Sequence, residues 1–332
     1  MQAPIIFIHY GNSYYLKHVL RSAKMFNPKK RVILIGDSSN NRYQDIDVEH
    51  YLFEHYLDTD EVKQFEKLYR RVGGVEFEKI NKNKGGEDWT KFNFLKWFVL
   101  YTFLQEQNIS NLWVFDSDTI ILSDLDSLEE RYGETDYTVM NNNNQLQGFV
   151  SNPGYIQLFQ KLCIEMFSNQ EYLDQIKKKN FTVNPRHGFT MMMVFRRLSD
   201  VAKPRIRRLN KIIDNAYFDE CICHQHGKEI YKKKIGHKTV KKIYCDQEGG
   251  LYQYDLTLQR YIKLLGVNLS WVPIYVFDVI YYQARKNRTY ENSKQIAQSQ
   301  PQEFALLDLG TPLIHSIKEK LSGIKRKILT VS

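Results

Sequence analysis

Short apolar runs alternate with helix-periodic segments along the first third of the chain. Residues 5–9 form a β-branched apolar run that ends in the turn sequence Gly11-Asn12-Ser13. Residues 14–26 follow with Leu16, Val19, Leu20, Ala23 and Phe26 at helical spacing, and Asn27-Pro28 stops them. A strand is predicted over 31–36, ending at Asp37-Ser38-Ser39, and a helix over 58–72 capped by Asp58 or Thr59. An aromatic-rich helix over 91–105 then precedes a strand over 112–115. This alternation predicts an α/β fold: a mostly parallel central sheet with helices on both faces. Such sheets bind ligands at the carboxyl ends of their strands. That rule singles out His9-Tyr10-Gly11-Asn12, Asp37-Ser38 and Asp116-Ser117-Asp118. No glycine-rich dinucleotide fingerprint follows the first strand and no phosphate-cradling P-loop motif occurs, which disfavours nicotinamide dehydrogenases and P-loop enzymes.

The second half is less regular. Helices are predicted over 155–167 and 171–179, a strand over 271–277, and a polar loop over 283–303. Asp255 fits the N-cap of a helix over 256–265. The methionine run Met191 to Met193 reads as core. Near the end, Ile314, Ile317, Leu321, Ile324 and Ile328 recur at three-to-four-residue steps, with Lys318, Lys320, Lys325, Arg326 and Lys327 largely between them. A basic amphipathic helix of this kind either packs its stripe on the protein or lies peripherally on an anionic membrane.

A chain of 332 residues suits one large α/β enzyme or two modest domains. No apolar run approaches the ~18 residues of a membrane span. The first residues lack the basic stretch of a secretory signal, so a cytoplasmic location is expected. The net charge of +9 is unevenly placed. Residues 1–150 carry 17 basic and 22 acidic side chains, the remainder 30 and 16. The second half is therefore expected to meet something anionic: nucleic acid, a membrane surface or phosphate groups. Residues 203–211 and 228–242 are rich in lysine and arginine, yet only Tyr217, Phe218 and Tyr231 lie nearby as stacking platforms, which disfavours nucleic acid. Cys221, Cys223, His224 and His226, with Cys245 further on, invite a zinc reading, although the spacing matches no common two-pair pattern. Ordinary thiols are the alternative.

The densest chemistry lies in residues 111–125. An apolar strand runs into Asp116-Ser117-Asp118, and residues at i and i+2 of an extended chain point the same way. Two carboxylates so placed suit Mn²⁺ or Mg²⁺, which favour oxygen ligands and keep positions open for phosphates. A solvated strand-end loop is the alternative for any isolated Asp-x-Asp.

The stretch Trp89-Thr-Lys91-Phe-Asn-Phe-Leu-Lys96-Trp-Phe-Val-Leu-Tyr, followed by residues 111–125, resembles the core of glycosyltransferases of the GT-A (Rossmann-like) fold. The resemblance implies that the Asp-x-Asp motif binds a divalent metal and, through it, a nucleotide-sugar diphosphate. Asp118 is then a metal ligand, while Asp116 either binds the metal directly or contacts ribose or acts through water. His9, Tyr10, Gly11 and Asn12 resemble the group's nucleotide-binding start, with Lys91 assigned to the same donor site. The ending Thr311-Pro-Leu-Ile-His315-Ser-Ile-Lys318 is similar to the C-terminal motif of family 8, where the His completes the metal site and the Lys touches the diphosphate. The glycine that family places between them is absent here. Cys245-Asp246-Gln247 is similar to the Asp-Gln motif of retaining family-8 enzymes, and Asp255 to an acid facing the acceptor in other GT-A enzymes. Either could serve the transfer step, and the stereochemistry stays open. The amide run 141–147 lies where related enzymes hold donor-sugar hydroxyls, or is a low-complexity loop.

The expected organisation is a nucleotide-sugar and metal half, 1–140, and an acceptor half, 141–332, within one continuous catalytic domain. The expected activity is hexosyl transfer from a nucleotide-sugar, UDP-linked by resemblance, to a glycan, lipid-linked or small-molecule acceptor. The competing readings are a metal-dependent nucleotidyltransferase and a non-enzymatic nucleic-acid binder. The first usually wants a glycine-rich N-terminal loop, and the turn after the first strand supplies one glycine.

Overall fold

The computed structural model describes residues 2–82, 86–140, 145–246, 249–291 and 302–303. In chain order the first elements are β1 (Ile5–His9), α1 (Leu16–Phe26), β2 (Val32–Gly36), β3 (Glu49–Leu52), α2 (Asp60–Leu68), α3 (Val75–Lys82) and α4 (Gly86–Glu106). Then come β4 (Leu112–Asp116), β5 (Thr119–Ile121), α5 (Asp126–Tyr132), β6 (Tyr137–Val139), β7 (Leu146–Val150), α6 (Gly154–Ser168) and α7 (Gln170–Ile176). The remainder comprises α8 (Met191–Ala202), β8 (Ile206–Arg208), β9 (Ala216–Asp219), β10 (Tyr244–Cys245), β11 (Leu251–Asp255), β12 (Arg260–Asn268), α9 (Ile274–Glu291) and β13 (Gln302–Glu303).

The chain folds as two compact units, each drawn from three stretches. The first comprises residues 1–12, 29–115 and 126–209. Its seven-stranded sheet runs β3-β2-β1-β4-β7-β6-β8. Strand β1 is parallel to β2, β2 to β3 and β6 to β8, while β7 enters antiparallel to both β4 and β6. The sheet is thus mainly parallel, and β1, β2 and β7 are buried throughout, as continuous apolar strands require when both faces are covered. Ile6 and Ile8, Ile33 and Ile35, and Leu112 and Val114 face a core shared with Phe65, Phe94, Phe98, Phe159 and Phe195 of the helices. Trp113 and Phe115 lie on the other face, stacked together, and Trp113 meets Tyr132 of α5 edge-on. Thr59 caps α2 by accepting from the Val62 N–H, as its position predicts.

The second unit comprises residues 13–28, 116–125 and 210–332. Its six-stranded sheet runs β13-β10-β11-β12-β5, with β9 also pairing β12. Two expectations are corrected here. Residues 260–268 are a strand, not part of a helix: Ile262 and Leu264 are buried on either side of exposed Lys263, a period of two. Residues 274–277 open a helix rather than belonging to a strand. Pro273 sits just before α9, and Val276, Phe277, Ile280, Tyr281 and Ala284 are buried at helical steps. Within this unit α1 packs on β5 and α9. Ser22 Oγ accepts the Ile121 N–H, and His18 Nε2 pairs with Asp278 Oδ1 at 2.5 Å. Among the described residues, no helix is long and apolar enough to cross a membrane.

Candidate functional site

Strand β4 is buried from Leu112 to Phe115 and emerges at Asp116. Ser117 and Asp118 turn the chain into buried β5, so the two acids share a tight turn rather than one extended strand. Register between β5 and β12 sets Thr119 against Asn268, and the Leu269 N–H closes on the Asp118 carbonyl at 2.9 Å. That pairing aims two side chains at the acid. Asn268 Nδ2 donates to Asp118 Oδ1 at 2.6 Å, and Ser270 Oγ donates to Oδ2 at 2.7 Å. Asn268 is itself fixed, because its Oδ1 accepts the Ser270 N–H at 3.0 Å.

Burial first, and then the neighbouring Asp116 charge, push the Asp118 carboxyl up to about 6 against the pull of its two donors. Tyr15 lies close enough to feel both acids. Burial and then Asp118 raise its phenol, while hydrogen bonds to Ser13 and Ser117 oppose them. Its ring stacks on Phe277 at 4.5 Å. Two mutually repelling carboxylates, one held in place by neutral donors, are a hard-oxygen set that fits Mg²⁺ or Mn²⁺. Asn268, Ser270 and Tyr15 are not among the sequence candidates: Asn268 ends β12 and Ser270 follows it, and the pattern over 256–265 favours a helix there. The polar pair flanking Leu269 at the end of a period-two apolar run was the available signal.

In the first unit, β1 and β2 are parallel, so His9-Asn12 and Asp37 lie at one sheet edge. Gly11 takes a φ of +91°, a left-handed conformation that favours glycine, and gives its N–H to the Asp37 carboxylate. Ser39 N donates to the same side chain at 2.8 Å. Burial would raise Asp37, but the donors from Ser39 and Gly11 prevail and hold it low. Burial drives His9 down to about 4, so it is neutral at physiological pH despite Asp37 nearby. Arg42 bonds to the Asn12 side chain and, at 2.6 Å, to the Tyr43 hydroxyl. Tyr10 and Trp89 are exposed at 52% and 62%. Tyr10 lies 6.0 Å from Phe53 and from Phe92, and Trp89 stacks on Phe92 at 5.6 Å, which makes one aromatic shelf. Lys91 pairs with Glu66 at 2.7 Å.

The remaining sequence candidates are held by local partners. Asp246 accepts from Gly250 N at 2.6 Å and the Tyr252 hydroxyl at 2.7 Å, closing the turn between β10 and β11. Asp255 pairs with Lys228 at 2.5 Å and accepts the Thr257 and Leu258 N–H groups, so it caps the β11–β12 turn. His315, Lys318, Asn141 to Asn144 and the amphipathic tail 314–329 lie outside the described residues. Gln145 and Gln147 are buried. The cysteines do not gather with the histidines: Cys223 Sγ lies 3.6 Å from the Ser270 carbonyl, and Cys245 Sγ 3.1 Å from that of Asp246. A buried pair, Asp219 with Lys241 at 2.6 Å, was also invisible to the sequence; Gln253 and the Cys221 N–H complete it.

No protein-family model matches the chain, and no curated protein matches it. Among solved structures it is similar to one described as "PaToxG Glycosyltransferase", with 14% sequence identity and a TM-score of 0.33. The match covers 60% of this chain and 69% of that one.

Proposed function

We propose that this chain is a metal-dependent glycosyltransferase of the GT-A type that transfers a hexosyl group from a nucleotide-sugar, with UDP the favoured nucleotide. The observation that carries this reading is the Asp116/Asp118 pair, half-buried in the turn that follows a buried strand, with Asp118 held by Asn268 and Ser270. Asp118, with Asp116, would hold Mn²⁺ or Mg²⁺, which when bound neutralises the charge that grows on a departing nucleoside diphosphate. Asn268 and Ser270 fix the orientation of Asp118 while leaving each oxygen a further lone pair. The first unit, taken by itself, offers the aromatic faces of Tyr10 and Trp89, on which a nucleotide base can stack, and the Asp37–Gly11 bond holds the turn that presents Tyr10 and Asn12. His315 and Lys318 keep the metal and diphosphate roles that the family-8 resemblance implies. Asp246 and Asp255 are the candidates for the transfer step. On this reading 1–140 serves the donor, and the basic 141–332 serves a glycan, lipid-linked or small-molecule acceptor.

A donor screen tests the proposal. The protein is incubated with UDP-, GDP- and CMP-sugars and Mn²⁺, and nucleotide release is measured. Release that needs the metal and disappears in a folded Asp118→Ala variant is expected. No release from any donor, with acceptor mixtures present, refutes the reading.

A further inference from the structure

A second group of metal-ligating side chains lies in the second unit, on residues 220–227 just after β9. Glu220, His224 and His226 place one ligand atom each within 4.8 Å of one another. Glu220 Oε1 stands 2.8 Å from His226 Nε2 and 3.5 Å from His224 Nδ1. Tetrahedral Zn²⁺ with bonds of about 2.0–2.1 Å separates its ligand atoms by about 3.3 Å. The three atoms therefore stand near the span of one zinc shell before any ion is added.

The carboxylate is prepared as metal ligands usually are. Asn210 Nδ2 donates to Glu220 Oε2 at 2.7 Å, which leaves Oε1 directed at the imidazoles, an outer-shell bond of the kind that orients ligands. Glu220 is largely buried, at 11% exposure, while His224 and His226 reach solvent. The backbone also converges here. His226 takes a φ of +39°, followed by Gly227 at +72°, which folds the second imidazole back toward Glu220. The His224 ring lies 5.6 Å from both His226 and Trp271.

We propose that Glu220, His224 and His226 form a zinc site, separate from the Asp116/Asp118 pair, with solvent as the fourth ligand. Two imidazoles and one carboxylate are a ligand set that zinc takes with an open fourth position for water. The thiols of Cys221 and Cys223 take no part. The ion would clip the 220–227 turn together beside the loop that presents Ser270 to Asp118, because Ile222 N bonds to the Asn268 carbonyl at 2.9 Å. Its role is to brace that turn, and no reaction step is assigned to it.

The test uses the full chain without an affinity tag, stripped with EDTA, titrated with Zn²⁺ and counted for bound metal after gel filtration. One zinc per chain is expected in the wild type and equally in Asp118→Asn, which separates this site from the proposed sugar-transfer metal. Affinity should fall at least 100-fold in His224→Ala/His226→Ala and about 10-fold or more in Asn210→Ala. Substituted Co²⁺ should give the visible absorption of a four-coordinate ion in the wild type and lose it in the double variant. Circular dichroism establishes that the variants are folded, and solvent-exposed His226→Ala supplies a mild single substitution. Equal zinc content in the wild type and the double variant, or no stoichiometric zinc in the wild type, overturns the proposal.

Discussion

Replacing Asp118 with asparagine should stabilise the metal-free protein at neutral pH. A carboxyl raised from 3.8 to about 6 binds its proton more tightly in the folded than in the unfolded state. Ionising it therefore costs folding free energy. The cost is absent below pH 4, grows between pH 4 and 6, and is constant above. Roughly two units at about 1.36 kcal/mol each give about 3 kcal/mol as an upper value, and partial exposure brings the expected effect to about 2 kcal/mol. The amide keeps the shape. Its oxygen can accept from Asn268, and its NH₂ can donate to the Ser270 hydroxyl, which rotates to receive it. Urea denaturation in EDTA at pH 4.5 and 7.5 compares the two proteins. The variant should be the more stable at pH 7.5, with most of the gap gone at pH 4.5. Mn²⁺ should then raise the wild type at pH 7.5 and leave the variant nearly unchanged. A gap that is the same at both pH values, or a wild type more stable than the variant at pH 7.5 in EDTA, would refute the electrostatic argument.

Three further outcomes are expected. Lys241→Met strands the Asp219 carboxylate, whose side chain is fully buried, and should cost about 3–5 kcal/mol by denaturation; adding Asp219→Asn should recover most of it. Gly148→Ala should cost about 1–3 kcal/mol, read as a lowered Tm, because φ is +93° there and a Cβ would overlap Leu209. Tyr10→Ala and Trp89→Ala should each weaken UDP binding by calorimetry by about 1–3 kcal/mol, and an unchanged affinity in both would remove the aromatic shelf from the donor site.

The α/β alternation was legible where side chains follow their own local period. Residues 5–8, 32–35 and 112–115 are continuous apolar runs and the helix of 91–105 is long, so pattern alone predicts these elements. The position of Asp116 and Asp118 after a buried strand was legible, because the apolar run 112–115 ends at Asp116. The second sheet was hidden. Its central strand, 260–268, is preceded by Leu256-Thr-Leu, which mimics a capped helix, whereas Asp255 in fact ties a turn to Lys228. Residues 274–277 are β-branched and aromatic, so local propensity favoured a strand where packing against α1 selects a helix. The reversal of β7 between two strands was equally unreadable, since sheet order depends on pairings remote in sequence. Asn268 and Ser270 became visible only once β12 was known to pair with β5. For the histidines the adjacent cysteines were misleading, because the third member of the cluster is a glutamate four residues before His224.

The partners of Asp118 lie 150 and 152 residues further along the chain, and this spacing has a consequence for biosynthesis. At about 5–20 residues per second, roughly 8–30 s separate the emergence of the acid pair from that of Asn268 and Ser270. Through nearly all of that interval β5 has α1 to pack on but lacks β12, and α1 lacks α9, so the second unit cannot complete its sheet. A ribosome-bound chain thus carries both carboxylates without the side chains that orient Asp118 until translation has passed residue 270. Pairing β5 with β12 and α1 with α9 joins segments remote in sequence, which slows folding of the second unit. The order of synthesis thereby makes the setting of Asp118 one of the later features of the second unit to form.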